Sequence, residues 1–190
     1  QIEQIMEFLP EKRQTLLFSA TFPNGIQKLI QKHLKNPVSV ITHKPTDHVK
    51  TIKHENIRVS AEKKFDVLVD EITKRTGSIL VFARTRGRTE KVCWYLKKQG
   101  INSTFIHGDR SLRERREAIQ GFESGRFRVL VATDVAARGL DIPTIETVIN
   151  LDLPSVAEDY VHRIGRTGRA GASGVALSFI APDEEHLWKA

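Results

Sequence analysis

Apolar and polar positions alternate along this chain in two rhythms, and the change from one to the other sets out the elements. Ile2, Ile5, Met6 and Leu9 recur at helical spacing, and Pro10 ends that helix. Thr15 to Phe18 is a short apolar run of strand length. Pro23 then opens a helix whose apolar face is Ile26, Leu29, Ile30 and Leu34, Asn36-Pro37 breaks it, and Val38 to Ile41 reads as another strand. A strand, a helix and a strand in that order imply parallel pairing. Two strands and two helices cannot close a core by themselves, and a first residue already inside an amphipathic helix points to a segment of a larger protein. Thr42 to Lys53 is polar and carries Pro45, which makes residues 45–52 a linker.

The alternation then restarts and continues to the end. Strands are predicted at Ile57–Val59, Ser78–Ala83, Thr104–Ile106, Arg128–Ala132, Thr147–Leu151 and Val175–Ile180. Helices are predicted between them at Ala61–Lys74, at Glu90–Gln99, from a Ser111 cap to about Phe122, and from a Ser155 cap to about Arg163. Strands interleaved with helices of this length form an open, doubly wound α/β domain with a parallel sheet over residues 53–190.

Composition narrows the picture. The 39% apolar fraction of the 190 residues supports a buried core, and a net charge of +7 asks for an anionic partner. No apolar run approaches a membrane span, and no charged-then-apolar leader opens the sequence. Cys93 is the sole cysteine, so no intramolecular disulfide can form, and a reducing cytoplasm is expected. No cysteine or histidine pair has metal-ligand spacing, and His33, His43, His48 and His54 are scattered.

In open α/β sheets ligands bind beyond the carboxyl ends of the strands. Arg84-Thr85-Arg86-Gly87-Arg88 follows one strand and His107-Gly108-Asp109-Arg110 another. Thr133-Asp134, and then Ala137-Arg138-Gly139-Leu140-Asp141, follow a third. The stretch from Tyr160 to Gly171 carries His162, Arg163, Arg166 and Arg169 with glycines between the last arginines, and it runs directly into the final strand. Guanidinium groups match phosphate oxygens two bonds at a time, and glycine admits close backbone approach. One such loop means little. Several on one sheet edge describe a phosphate-binding face.

These stretches, in this order, resemble the motifs of the DEAD-box family of superfamily-two RNA helicases. Ser19-Ala20-Thr21 looks like motif III, Leu80-Val81-Phe82 with Thr85 like motif IV, and His107-Gly108-Asp109 with Arg115 like motif IVa. Thr133 to Asp141 looks like motif V and His162 to Arg169 like motif VI. One departure stands out: Leu112 occupies the place where the family usually has glutamine, three residues before the motif IVa arginine.

The resemblance implies a RecA-like helicase lobe at 53–190, the 45–52 linker, and at 1–44 the tail of a first lobe. It implies an ATP hydrolase acting on RNA, with ATP as cofactor and Mg²⁺ held by the first lobe. Arg166 and Arg169 would be arginine fingers, with His162 beside them and Gly139 and Asp141 at the nucleotide. Arg84, Thr85, Gly108, Arg115 and Thr133 would face the RNA backbone, and Ser19, Thr21 and Arg163 would couple the lobes. RNA and the first lobe are the expected partners, with no membrane. The sequence holds no GxxxxGK[ST] phosphate loop, so the chain by itself is expected to be inactive. Two other readings share these motifs: a clamp that binds RNA without hydrolysing ATP, and a translocase of the same superfamily directed to DNA.

Overall fold

The computed structural model describes residues 2–19, 24–41, 52–138, 145–169 and 171–189. Backbone contacts divide the chain into two compact units, Gln1–Pro45 and Thr46–Ala190.

In the first unit, α1 spans Ile2–Glu7 and α2 spans Asn24–His33. Ile26, Leu29, Ile30 and Leu34 are all half-buried, so the apolar face read from their spacing is the one turned inward. The strands expected at Thr15–Phe18 and Val38–Ile41 are not formed. A strand exists through its ladder, and the described residues of this unit build no sheet to pair with. Phe18 and Val38 accordingly stay about nine-tenths exposed, at 90% and 89%. The linker expected at 45–52 falls almost wholly outside the described residues.

The second unit is a six-stranded sheet. Its strands are β1 (Ile52–Arg58), β2 (Ile79–Phe82), β3 (Ser103–Ile106), β4 (Val129–Ala132), β5 (Thr147–Asn150) and β6 (Gly174–Ile180). They lie in the order β1-β6-β5-β2-β4-β3, and every pairing is parallel. The helices are α3 (Lys64–Lys74), α4 (Arg86–Lys98), α5 (Leu112–Glu123), the single turn α6 (Asp134–Ala137), α7 (Ala157–Ile164) and the short α8 (Glu185–Trp188).

The β2 strand shows why this sheet is covered on both sides. Ile79 and Val81 point into one core with Leu68 and Ile72 of α3 and Val92, Cys93 and Leu96 of α4. Leu80 and Phe82 point into the other, with Ala118 and Phe122 of α5 and Ala136 and Ala137 of α6. Strands buried on both faces read as unbroken apolar runs, which is the pattern β2 and β4 carry.

Local chemistry accounts for the element ends. Ser111 and Glu114 form a capping box at the start of α5, satisfying two donors that the first turn leaves open. The α4 helix begins at Arg86, ahead of the expected Glu90, because Thr85 Oγ1 accepts from Arg88 N (3.2 Å) and caps it there. Ser155, by contrast, is not a cap: α7 starts after Val156, with no side-chain capping bond.

Candidate functional site

The α7 helix ends in the arginine-rich turn, and several bonds fix that turn in place. Thr167 is 2% exposed, and its Oγ1 lies 2.7 Å from Ile145 O and 2.9 Å from Glu146 O, one proton shared between two carbonyls before β5. Gly168 adopts φ +66°, a left-handed conformation that favours glycine. A Cβ on Gly174 would lie 2.2 Å from Thr167 Oγ1 and 2.6 Å from Gly168 N, so only glycine lets β6 start this close to the turn. On this support Arg166 Nε donates to His162 O (3.3 Å) and Arg169 Nε to Gly165 O (2.9 Å), each four residues back. Both arginines are half-buried, anchored at the base of the guanidinium. Arg166 and His162 line one small crevice with Phe82, Asp134, Ala137, Arg138, Asp159 and Arg163.

Arg163, expected to couple the lobes, is buried within this one. Its side chain is 2% exposed. Nε and Nη2 donate to the two oxygens of Asp134 (2.6 and 2.8 Å), and Nη1 donates to Asn150 Oδ1 (3.1 Å) and Asp152 O (2.6 Å). The guanidinium also lies 4.9 Å from the centre of the Phe82 ring. These bonds tie the turn after β4 to the end of β5 and to α7.

The ends of β2, β3 and β4 come together on the same edge. Arg84 Nη2 donates to Glu184 Oε1 (2.7 Å), and Arg88 Nε reaches both oxygens of Asp152 (3.0 and 2.7 Å). Arg86 pairs with Asp109. Gly108 lies under the Arg86 guanidinium, where an added Cβ would make only ordinary contact, 3.8 Å from Nη2. Neither packing nor a left-handed backbone demands glycine there, which leaves its backbone open to a close approach. His107 is buried, with Nε2 2.9 Å from Glu90 Oε1 while Nδ1 accepts from Asp109 N (3.3 Å), an arrangement that fits the tautomer protonated at Nε2. Arg115 is half-buried; its Nη2 donates to Ala136 O (3.4 Å), and its buried Nε has no partner among the described residues. Thr133 is 8% exposed, and its side chain makes no capping bond to α6.

Thr21, Gly139 and Asp141 lie outside the described residues. Ser19 is half-buried in the first unit. Sequence reasoning missed Lys64, Asp152 and Glu184 as parts of this edge. Lys64 carried a signal: it stands four and eight residues before Leu68 and Ile72, in register with the buried face of α3. Among the described residues no group of three or more His, Cys, Asp or Glu could hold a metal, and no helix is long and apolar enough to cross a membrane.

An all-parallel α/β sheet whose carboxyl edge carries anchored arginines, glycine turns and buried hydroxyls defines a RecA-like helicase lobe. Residues 63–171 match the family model of the helicase conserved C-terminal domain. The chain belongs to that family, and within it to the DEAD-box ATP-dependent RNA helicases.

DEAD-box ATP-dependent RNA helicase CshA of Geobacillus kaustophilus is 41% identical over 184 residues, covering 96% of this chain and 39% of the relative. E. coli SrmB, solved bound to regulator of ribonuclease activity A, is 39% identical with a TM-score of 0.69 over 72% of this chain and 81% of that one. S. cerevisiae Dbp5, solved bound to RNA and ADP BeF3, is 35% identical with a TM-score of 0.86 over 98% of this chain and 50% of that one. The chain thus spans about two fifths of the length of the curated relatives it matches, 39% for CshA.

Proposed function

We propose that this chain is the carboxy-terminal half of an enzyme that couples ATP binding and hydrolysis to RNA binding and local duplex unwinding. In this reading residues 1–44 end a first RecA-like lobe, 45–52 link, and 53–190 form the second lobe. The observation that carries it is the arginine turn: Arg166 and Arg169 are each tethered by Nε to a backbone carbonyl, on a turn locked by Thr167 and Gly174. Guanidinium groups held in this way match phosphate oxygens, and relatives named ATP-dependent RNA helicases support ATP as the ligand.

ATP, when bound, supplies the phosphoanhydride whose cleavage drives the cycle. Arg166 and Arg169 neutralise the charge that develops on the phosphoryl oxygens, and their tethers remove the cost of ordering two long side chains at that moment. His162 lines a small crevice together with Arg166. Gly139 and Asp141 are assigned to the nucleotide by their place in the sequence motif. Mg²⁺ is assigned to the first lobe.

On the neighbouring edge, Arg84, Arg115, Thr85, Thr133 and the Gly108 backbone take RNA phosphates. Thr85 Oγ1 accepts from Arg88 N and still has its own proton to donate. Dbp5, solved bound to RNA, supports RNA as the ligand. Ser19 and Thr21 are assigned to coupling between lobes; Arg163 is reassigned from that role to holding the edge together.

The test is steady-state ATPase of the full-length protein with saturating single-stranded RNA. Replacing Arg166 and Arg169 together by alanine is expected to lower kcat by a factor on the order of 10³ or more, with RNA still bound. A kcat equal to the parent's would overturn the reading.

A further inference from the structure

Five charged side chains meet beyond the carboxyl ends of β2, β5 and β6: Lys64, Arg84, Arg88, Asp152 and Glu184. Lys64 Nζ donates to Leu151 O (2.6 Å) and Glu184 Oε2 (2.6 Å) and lies 3.5 Å from Asp152 Oδ1. Glu184 Oε1 accepts from Arg84 Nη2 (2.7 Å) and Leu153 N (3.4 Å), while Oε2 also accepts from Ala181 N (3.2 Å). Asp152 accepts from Arg84 N (3.0 Å) and from Arg88 Nε. Both oxygens of each carboxylate are therefore engaged.

The burial is graded. The side chains of Lys64, Asp152 and Glu184 are 2%, 7% and 5% exposed, whereas Arg84 and Arg88 are 48% and 32% exposed. Three cations face two carboxylates, so one positive charge is unbalanced, and the exposed members are both guanidinium groups. A solvated arginine needs no buried carboxylate beneath it, and burying charges is costly unless something is gained. Here the buried groups fix the two arginines against one platform, with the Arg88 guanidinium also resting 5.3 Å from the centre of the Phe65 ring.

We propose that Lys64, Asp152 and Glu184 are positioning residues that hold Arg84 and Arg88 as a paired guanidinium site for one phosphodiester of single-stranded RNA. This rests on the reading of the edge as an RNA surface, and it adds that affinity depends on geometry imposed from the interior, beyond the charge of the arginines.

The two effects have opposite signs in one variant. Glu184→Gln removes a negative charge beside the site, so charge alone would tighten RNA binding. Positioning requires the reverse: a side-chain amide offers Arg84 only a neutral acceptor, and its NH2 opposes the Lys64 and Ala181 donors that hold the carboxylate in place. Affinity of the full-length protein is measured by fluorescence anisotropy with a 5′-labelled ten-nucleotide oligo(U), across salt concentrations. Glu184→Gln is expected to weaken binding about tenfold, the scale of one charge-assisted hydrogen bond. The slope of log K against log salt is expected to flatten by about 0.7, the change for one phosphate of a single strand that is no longer neutralised.

If Glu184→Gln does not fold, Lys64→Met with Glu184→Gln removes opposite charges together and still leaves Arg84 only a neutral acceptor, and the same weakening is expected. Unchanged or tighter binding in a folded variant would overturn the positioning role. Arg84→Ala is the separate control: full affinity in that variant would instead overturn the RNA reading of the edge itself.

Discussion

Arg163 and Asp134 form a two-pronged ion pair inside the lobe, with Nε–Oδ1 at 2.6 Å and Nη2–Oδ2 at 2.8 Å, joining the turn after β4 to α7. The arginine is buried and the carboxylate only 28% exposed, so removing one partner strands the other. Arg163→Ala is expected to cost roughly 3 kcal/mol or more, the scale for breaking a buried pair. Arg163→Lys should recover little, since an ammonium cannot reproduce the fork. Urea unfolding of both variants checks this; a loss under about 1 kcal/mol for alanine would show that the pair contributes little to the fold.

Two glycines on the ligand edge should respond in opposite ways. A Cβ on Gly174 would sit 2.2 Å from Thr167 Oγ1, so Gly174→Ala must displace the arginine turn or the start of β6, at about 1–3 kcal/mol. A Cβ on Gly108 would meet nothing closer than 3.8 Å, and Gly108→Ala should change stability by less than about 0.5 kcal/mol. If a phosphate approaches the Gly108 backbone, that same variant weakens RNA binding while its melting temperature stays at the parent value. Equal losses of stability in the two variants would refute the distinction.

Much of this architecture was legible because apolar runs carry their own period. The β2 and β4 strands are buried on both faces, and each appears as four consecutive apolar residues. Thr15–Phe18 has the same local look and forms no strand, since pairing depends on neighbours that spacing does not encode. The arginines of the ligand edge were legible as residue types, but not their partners. Asp152 and Glu184 lie 68 and 100 residues from Arg84, and only the parallel order of β2, β5 and β6 brings them together. Arg163 stands close to Arg166 in the sequence yet is buried where Arg166 is only half-buried, because its guanidinium reaches in to Asp134, Asn150 and Asp152 while Arg166 lies in the turn beyond the end of α7.

Cys93 offers a probe of the lobe's opening. It is 1% exposed, and burial pushes its thiol up from the ordinary value, outweighing the Ser103 hydroxyl 3.4 Å away. A raised pKa means less thiolate at a given pH, so reaction with an aromatic disulfide reagent at mildly alkaline pH should be far slower than in urea. Labelling as fast in native protein as in denatured protein would contradict the burial of α4 against β3.

The chain by itself should hydrolyse no ATP. Its sequence contains no GxxxxGK[ST] loop, and guanidinium groups cannot orient a nucleotide that nothing else holds. An RNA-stimulated, magnesium-dependent rate from the purified 190 residues, abolished by Arg166→Ala, would contradict this.

The arginine turn also makes a sharper prediction about how its two arginines divide the work. Each is tethered through Nε to a carbonyl four residues back, so the two guanidinium groups are held from one turn. A guanidinium stabilises charge in the transition state more than in bound ATP, so the loss should fall on kcat, while nucleotide affinity of the open form stays near the parent value. Lysine at either position should rescue poorly, because it cannot keep the Nε tether and offer two parallel donors as well. If both arginines act on the same phosphoryl group, Arg166→Ala and Arg169→Ala should each lower kcat by about 10³-fold or more, and the double variant should fall well short of the product of the two losses. Steady-state ATPase with saturating RNA, measured for both single variants, the double and the two lysine variants, decides between them. Fully multiplicative losses would mean that the two arginines act independently, and parent-like kcat in the lysine variants would mean that a point charge suffices and the tether has no catalytic part.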